Sequence, residues 1–156
     1  MNSDKFNELS KIRKEWVAAN QKNRFEKGLE SLLSKMYPGK AHFIYELLQN
    51  SEDAGATCVK FGLSDSALAY EHNGPKLFSF SDVEAITGIG ISTKQDDLTQ
   101  IGKFGVGFKA VYDYTDSPEI HSNGYDFKIE NMVIPVTESV LKVTDTTKTI
   151  FKFPFD

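Results

Sequence analysis

The sequence is marked first by what it lacks. It has one cysteine, Cys58, so no disulfide can form within the chain, which fits a reducing, cytoplasmic compartment. Cys58 sits in a strand-like apolar run and is expected in the core, where free cysteine is usually found. No apolar stretch approaches the roughly 18–20 residues needed to cross a bilayer. The first residues are charged and polar, without the apolar segment of a signal peptide. Basic charge is not in excess either. Lysine and arginine number 18 against 22 acidic residues, a net −4, which argues against a broad nucleic-acid-binding face. Internal repeats and low-complexity tracts are missing too. What remains is ordinary for a soluble globular domain: 156 residues, 40% hydrophobic and 26% charged, enough for one domain (1–156) with its own core.

Helical periodicity opens the chain. Phe6, Leu9, Ile12 or Arg13, Trp16 and Val17 recur at helical spacing and predict a helix from Ser3 to Asn20, an extension over residues 1–22. A second helix is predicted from Arg24 to Met36, and Tyr37-Pro38-Gly39 breaks it. A third runs from Ala41 to Ala54, stopped by Gly55. Alternation then predicts strands over Thr57–Leu63 and Ala67–His72, with Ser64-Asp65 as the turn. Ser81-Asp82 is expected to cap a short helix through Ile86. Gly88–Ile101 reads as a polar, mobile loop, and Phe104–Tyr114 as helix-competent. Strands are predicted at Glu119–Ser122, Tyr125–Ile129, Met132–Pro135 and Lys148–Phe153. Helices first and strands after predict an α+β fold, a two-layer α/β sandwich with helices on one face of a mixed, largely antiparallel sheet.

The third helix carries a polar stripe. Glu46, Asn50 and Asp53 stand at i, i+4 and i+7 and share a face, while Phe43, Ile44, Leu47 and Leu48 cover much of the rest. Two readings of that stripe are open. It is either the solvated edge of a buried helix or a set of oxygen donors lining a cavity. In the second reading Asn50 offers a neutral amide oxygen suited to magnesium, and Glu46 a carboxylate able to orient and deprotonate water.

Glycines cluster in Ile101-Gly102-Lys103-Phe104-Gly105-Val106-Gly107-Phe108. Such spacing lets backbone N–H groups approach a phosphate, with the positive end of the following helix behind them. It equally suits a structural turn against a packed helix. The run is neither a P-loop nor a dinucleotide fingerprint. Lys94, in the preceding loop, is either a solvated lysine or a point charge for a terminal phosphate.

Taken together, Glu46-Leu47-Leu48-Gln49-Asn50-Ser51-Glu52-Asp53-Ala54 and Gly102–Phe108 resemble two boxes of the superfamily of gyrase B, Hsp90-like chaperones, histidine kinases and MutL. His72-Asn73-Gly74, Asp82–Ile86, Ser92-Thr93-Lys94 and Tyr112–Ser122 are similar to its sacsin-like branch. The resemblance spans about residues 25–155 and implies the Bergerat nucleotide fold, as one domain of a larger protein, with ATP/ADP and Mg2+ as ligands. It implies Glu46 as general base and Asn50 as magnesium ligand, with Asp53 and Ala54 lining the pocket. Gly102, Lys103, Phe104, Gly105, Val106, Gly107 and Phe108 would cradle the phosphates. Residues 88–101 would form the ATP lid, with Lys94 near the β- or γ-phosphate. Thr149 would stand near the base, although a threonine there is also an ordinary strand residue.

One box departs from the superfamily pattern. Where the superfamily places an aspartate that accepts from the adenine amino group, this chain has His72, in Glu71-His72-Asn73-Gly74. Asn73 could supply an amide oxygen in its place, and Gly74 a close backbone approach. His72 is expected as a satisfied pocket or strand histidine. The expected activity is Mg-dependent ATP binding and hydrolysis. The alternative is a nucleotide-gated binding or dimerisation module with little hydrolysis, and a histidine-kinase catalytic domain ranks below both. Expected partners are ATP, a nucleotide-dependent second copy, and a protein partner or further domains of a longer chain. Membrane and nucleic acid are not expected partners.

Overall fold

The computed structural model describes residues 3–22, 42–88 and 106–155; the side chains of residues 42, 106 and 107 fall outside that description. The helix expected over residues 24–36 and the loop from residue 89 to 101 also lie outside the described residues. In chain order the elements are α1 (Ser3–Lys22), α2 (His42–Asp53), β1 (Val59–Leu63), β2 (Ala67–His72), α3 (Phe80–Ile86), a 3-10 helix (Val106–Asp113), β3 (Glu119–Ser122), β4 (Tyr125–Glu130), β5 (Ile134–Val136) and β6 (Thr149–Pro154). The strands form one six-stranded sheet in the order β1-β2-β6-β3-β4-β5. Every pairing in it is antiparallel, so the expected mixed character is absent among the described strands.

Register explains the two layers. Tyr70, Phe151, Ile120 and Phe127 stand opposite one another across β2, β6, β3 and β4, so they form one row on one face. That row meets Phe6 of α1, Phe43 and Leu47 of α2, Val83 and Ile86 of α3, and Phe108 of the 3-10 helix in a single core. Burying each such side chain contributes about 1.5–3 kcal/mol. The next row, Glu71, Ile150, His121 and Asp126, faces the other way and is mostly polar. There His121 contacts Asp126 at 2.7 Å and Glu119 at 3.2 Å, and the Asp126 carboxylate also accepts from the Val143 backbone N–H. This alternation gives a sheet covered by helices on one side. A second cluster, Val17 with Val133, Ile134 and Val136, seats α1 against β5.

Two details differ from the sequence reading, and one alternative that it left open, Ile12 or Arg13, is decided. Cys58 is exposed, not core, and β1 is exposed along its whole length. As an outer strand paired on one side only, it leaves Val59, Phe61 and Leu63 at least a third exposed. In α1 it is Arg13, not Ile12, that turns inward. Its guanidinium donates to the Thr87 and Val133 carbonyls, while Ile12 is half exposed and Trp16 is 37% exposed. The cap of α3 is Ser79, two residues before the predicted one. Its hydroxyl accepts from the Asp82 N–H, and the Asp82 carboxylate accepts from the Ser79 N–H at 2.8 Å, a reciprocal capping box.

Lys109 is an anomaly in this core. It is 5% exposed, and among the described residues its ammonium has no hydrogen-bond partner. Burial, and then the charge of Arg13, pull its pKa down to about 8, while the Tyr112 ring at 5.9 Å offers only partial compensation. The unfolded chain binds this proton up to the ordinary value of 10.5, so between about 8 and 10.5 it holds more protons than the folded one. Stability therefore rises with pH across that window, and below it the folded state carries the full cost of the buried charge. Lys109→Met should raise stability at pH 7 by on the order of 2 kcal/mol and flatten the rise above pH 8. Urea denaturation at pH 7, 8, 9 and 10 measures both effects, and a variant less stable than the parent at pH 7 would contradict the account.

Candidate functional site

The core row ends where side chains turn polar. One step beyond Tyr70 and Phe151 on the same face stand His72 and its register partner Thr149. Ser122 of β3 joins them, its hydroxyl 2.8 Å from the Thr149 hydroxyl. α2 roofs this end of the sheet. Its placement is set by a buried network in which the Ser51 hydroxyl donates to the Leu47 carbonyl at 2.8 Å and meets the Tyr70 phenol, which donates to the same carbonyl at 3.2 Å. Phe43 adds an edge contact to Phe153, with ring centroids 5.6 Å apart.

Between α2 and the sheet end lies a cleft lined by Asn50, Ala54, His72, Lys76, Phe78, Asp82, Thr149 and Phe151. Asn50 is its most telling member. The side chain is 6% exposed, yet among the described residues neither the amide oxygen nor the amide nitrogen has a hydrogen-bond partner. Leaving a buried polar group unpaired costs roughly 1–3 kcal/mol, so this carboxamide has hydrogen-bonding capacity to spare at a real cost to the fold. Glu46, one turn earlier on α2, is half-buried. Asp53 is exposed and does not line the cleft; Ala54 takes that place. At about 3.6 residues per turn, positions i, i+4 and i+8 drift slowly around the helix, and they carry the stripe from Glu46 through Asn50 to Ala54.

The chain following β2 closes one wall. The Asn73 amide oxygen accepts from the Thr57 and Cys58 N–H groups, both at 2.9 Å, and its amide nitrogen donates to the Thr57 hydroxyl at 2.8 Å. The oxygen expected to meet a base is thus spent on the entry to β1. Gly74 then passes so close to α2 that a Cβ would fall 2.8 Å from both the Cβ and the carbonyl oxygen of Ala54. Its N–H donates to His72 Nδ1 at 3.0 Å, and burial lowers the pKa of His72. The ring is therefore neutral at pH 7, with Nδ1 engaged as an acceptor.

The rest of the expected site is placed in part. Lys94, Gly102, Lys103, Phe104 and Gly105 lie outside the described residues. Val106 and Gly107 open the 3-10 helix. Phe108 is fully buried, its ring 6.2 Å from those of Phe151 and Phe153. Lys76, Phe78 and Asp82 line the cleft without having been singled out for it; Asp82 and Ser122 lie in segments of the sacsin-like resemblance, and Asp82 also at a capping position, but neither signal assigned them to a site. Among the described residues no cluster of histidine, cysteine and carboxylate side chains could hold a metal ion, and no helix is long and apolar enough to cross a membrane.

Comparison with known proteins adds the family. The sacsin domain profile matches residues 62–150, more than half of the chain, and the chain belongs to the sacsin-domain family. Protein NO VEIN of Arabidopsis thaliana is 35% identical over 115 residues, covering 70% of this chain and 4% of that protein. Sacsin of Homo sapiens is 36% identical over 104 residues, covering 56% of this chain and 2% of that one. The chain thus spans only a few per cent of the length of these relatives. A crystal structure of the N-terminal domain of a DNA repair protein aligns with a TM-score of 0.48 at 12% identity, over 72% of this chain and 36% of that one.

The close approach at Gly74 gives a test of the wall. Gly74→Ala must push the loop off Ala54 or displace α2, at a cost of about 1–3 kcal/mol. Thermal denaturation should show a Tm lowered by several degrees, while Asp53→Ala, at an exposed position, should leave Tm within about a degree.

Proposed function

We propose that this chain is a nucleotide-binding domain of the gyrase B, Hsp90, histidine kinase and MutL type, which binds a nucleoside triphosphate with magnesium and hydrolyses it. ATP is the triphosphate that the resemblance implies. The observation that carries this reading is the Asn50 carboxamide, buried and unpartnered in a cleft one turn beyond Glu46. Its neutral oxygen fits a hard cation that keeps most of its waters. A magnesium ion held by Asn50 would supply neutralisation of phosphate charge. Glu46, half-buried, orients a water and takes its proton as the water oxygen bonds to the γ-phosphorus and the diphosphate leaves with the bridging oxygen. Thr149, held by Ser122, and His72 stand at the base end of the cleft, with Gly74 against α2 as its wall. A cytoplasmic setting, in which exposed Cys58 stays reduced, and coupling to dimerisation or to further domains belong to the same reading.

Two substitutions on α2 test this. Asn50→Ala should weaken magnesium-dependent nucleotide binding at least tenfold by calorimetry. Glu46→Ala should keep the affinity and lower phosphate release at least a hundredfold. Measurements at several protein concentrations reveal any dependence on dimerisation. Tight binding without phosphate release in the parent chain would favour a nucleotide-gated module instead, and binding indifferent to Asn50 would remove the basis of the site.

A further inference from the structure

The cleft holds a second buried polar group with capacity to spare. His72 is 5% exposed, and its Nδ1 accepts from the Gly74 N–H at 3.0 Å. A ring nitrogen that accepts from a backbone N–H carries no proton of its own, so in the neutral ring the proton is on Nε2. Among the described residues that Nε2 has no hydrogen-bond partner, and the residue lines the cleft. His72 therefore offers a donor to a ligand. Lys76, also in the lining, has only donors to give. The carboxylate there, Asp82, already accepts from the Ser79 N–H at 2.8 Å and from the Ser79 hydroxyl at 3.1 Å with one oxygen, as part of the cap of α3.

Resting on the nucleotide reading above, we propose that this cleft selects purines bearing an oxo group at position 6, guanine or hypoxanthine, over adenine, with His72 Nε2–H as the donor that makes the distinction. Along the edge bearing position 6, guanine offers two acceptors, O6 and N7, where adenine offers the N7 acceptor beside an amino donor. A donor in the cleft satisfies an oxo group and opposes an amino group. Sites that hydrogen-bond a substrate group discriminate strongly, because a mismatch leaves two polar groups buried and unpaired.

ITP and ATP share the ribose triphosphate and differ in the base by an oxo for an amino group at position 6 and the proton this places on N1, and calorimetric titration of the chain with each, in magnesium, is the test. The expected result is ITP tighter than ATP by at least about fivefold, with GTP following ITP. His72→Asp, which turns the donor into an acceptor, should reverse the order, and circular dichroism verifies that the variant is folded. Should it not fold, the comparison of ITP with ATP in the parent chain decides alone. ATP binding as tightly as ITP or tighter in the parent overturns this assignment and leaves the nucleotide reading standing. An ITP preference that His72→Asp does not move overturns the role of His72. If neither nucleotide binds, and inorganic tripolyphosphate with magnesium does not bind either, both readings fall together.

Discussion

The cleft depends on where α2 lies on the sheet. That position is fixed by one buried contact set, in which the Ser51 hydroxyl and the Tyr70 phenol converge on the Leu47 carbonyl. Leu47 is completely buried beside them, so hydrophobic burial and hydrogen bonding act at the same point. Burial raises the pKa of Tyr70, which keeps its phenol protonated and able to donate. With Leu47 and Ser51 pinned to β2, Asn50 and Ala54 are carried over the end of the sheet, where β2 and β6 present His72 and Thr149.

From that one docking the polar groups take opposite fates. Those that shape the walls are satisfied within the protein: Asn73 on the entry to β1, Asp82 on the cap of α3, Ser122 on Thr149. The Asn50 carboxamide has no partner among the described residues, and His72 engages only its Nδ1, although both residues are more than nine-tenths buried. Folded proteins rarely tolerate such groups without a use for them.

Much of this was legible in the chain. The strands followed from period-two alternation, and β2, β3, β4 and β6 were placed within a residue or two of their ends. The Glu46–Asn50 pair followed from helical spacing. Other features were not readable, for physical reasons. The run before β1 is apolar enough to suggest a core, but strand order decides burial, and β1 lies at the edge. Asn73 resembles a ligand group in sequence, yet only the fold shows that two N–H groups of the Thr57–Cys58 segment use its oxygen. Membership of the sacsin-domain family agrees with the motif reading of residues 72–122 but names no ligand. The tautomer of His72 depends on one backbone-to-ring hydrogen bond, from Gly74 N–H to Nδ1, that sequence does not announce.

The central claim is that Asn50 is kept unpartnered for a magnesium-bound triphosphate. The most direct measurement is the side-chain amide resonance pair of Asn50, assigned by its loss in a substituted chain and followed by NMR as magnesium nucleotide is added. The account predicts that the pair shifts in step with binding and exchanges more slowly with solvent once the site is filled. A pair that stays in place while nucleotide binds would contradict it.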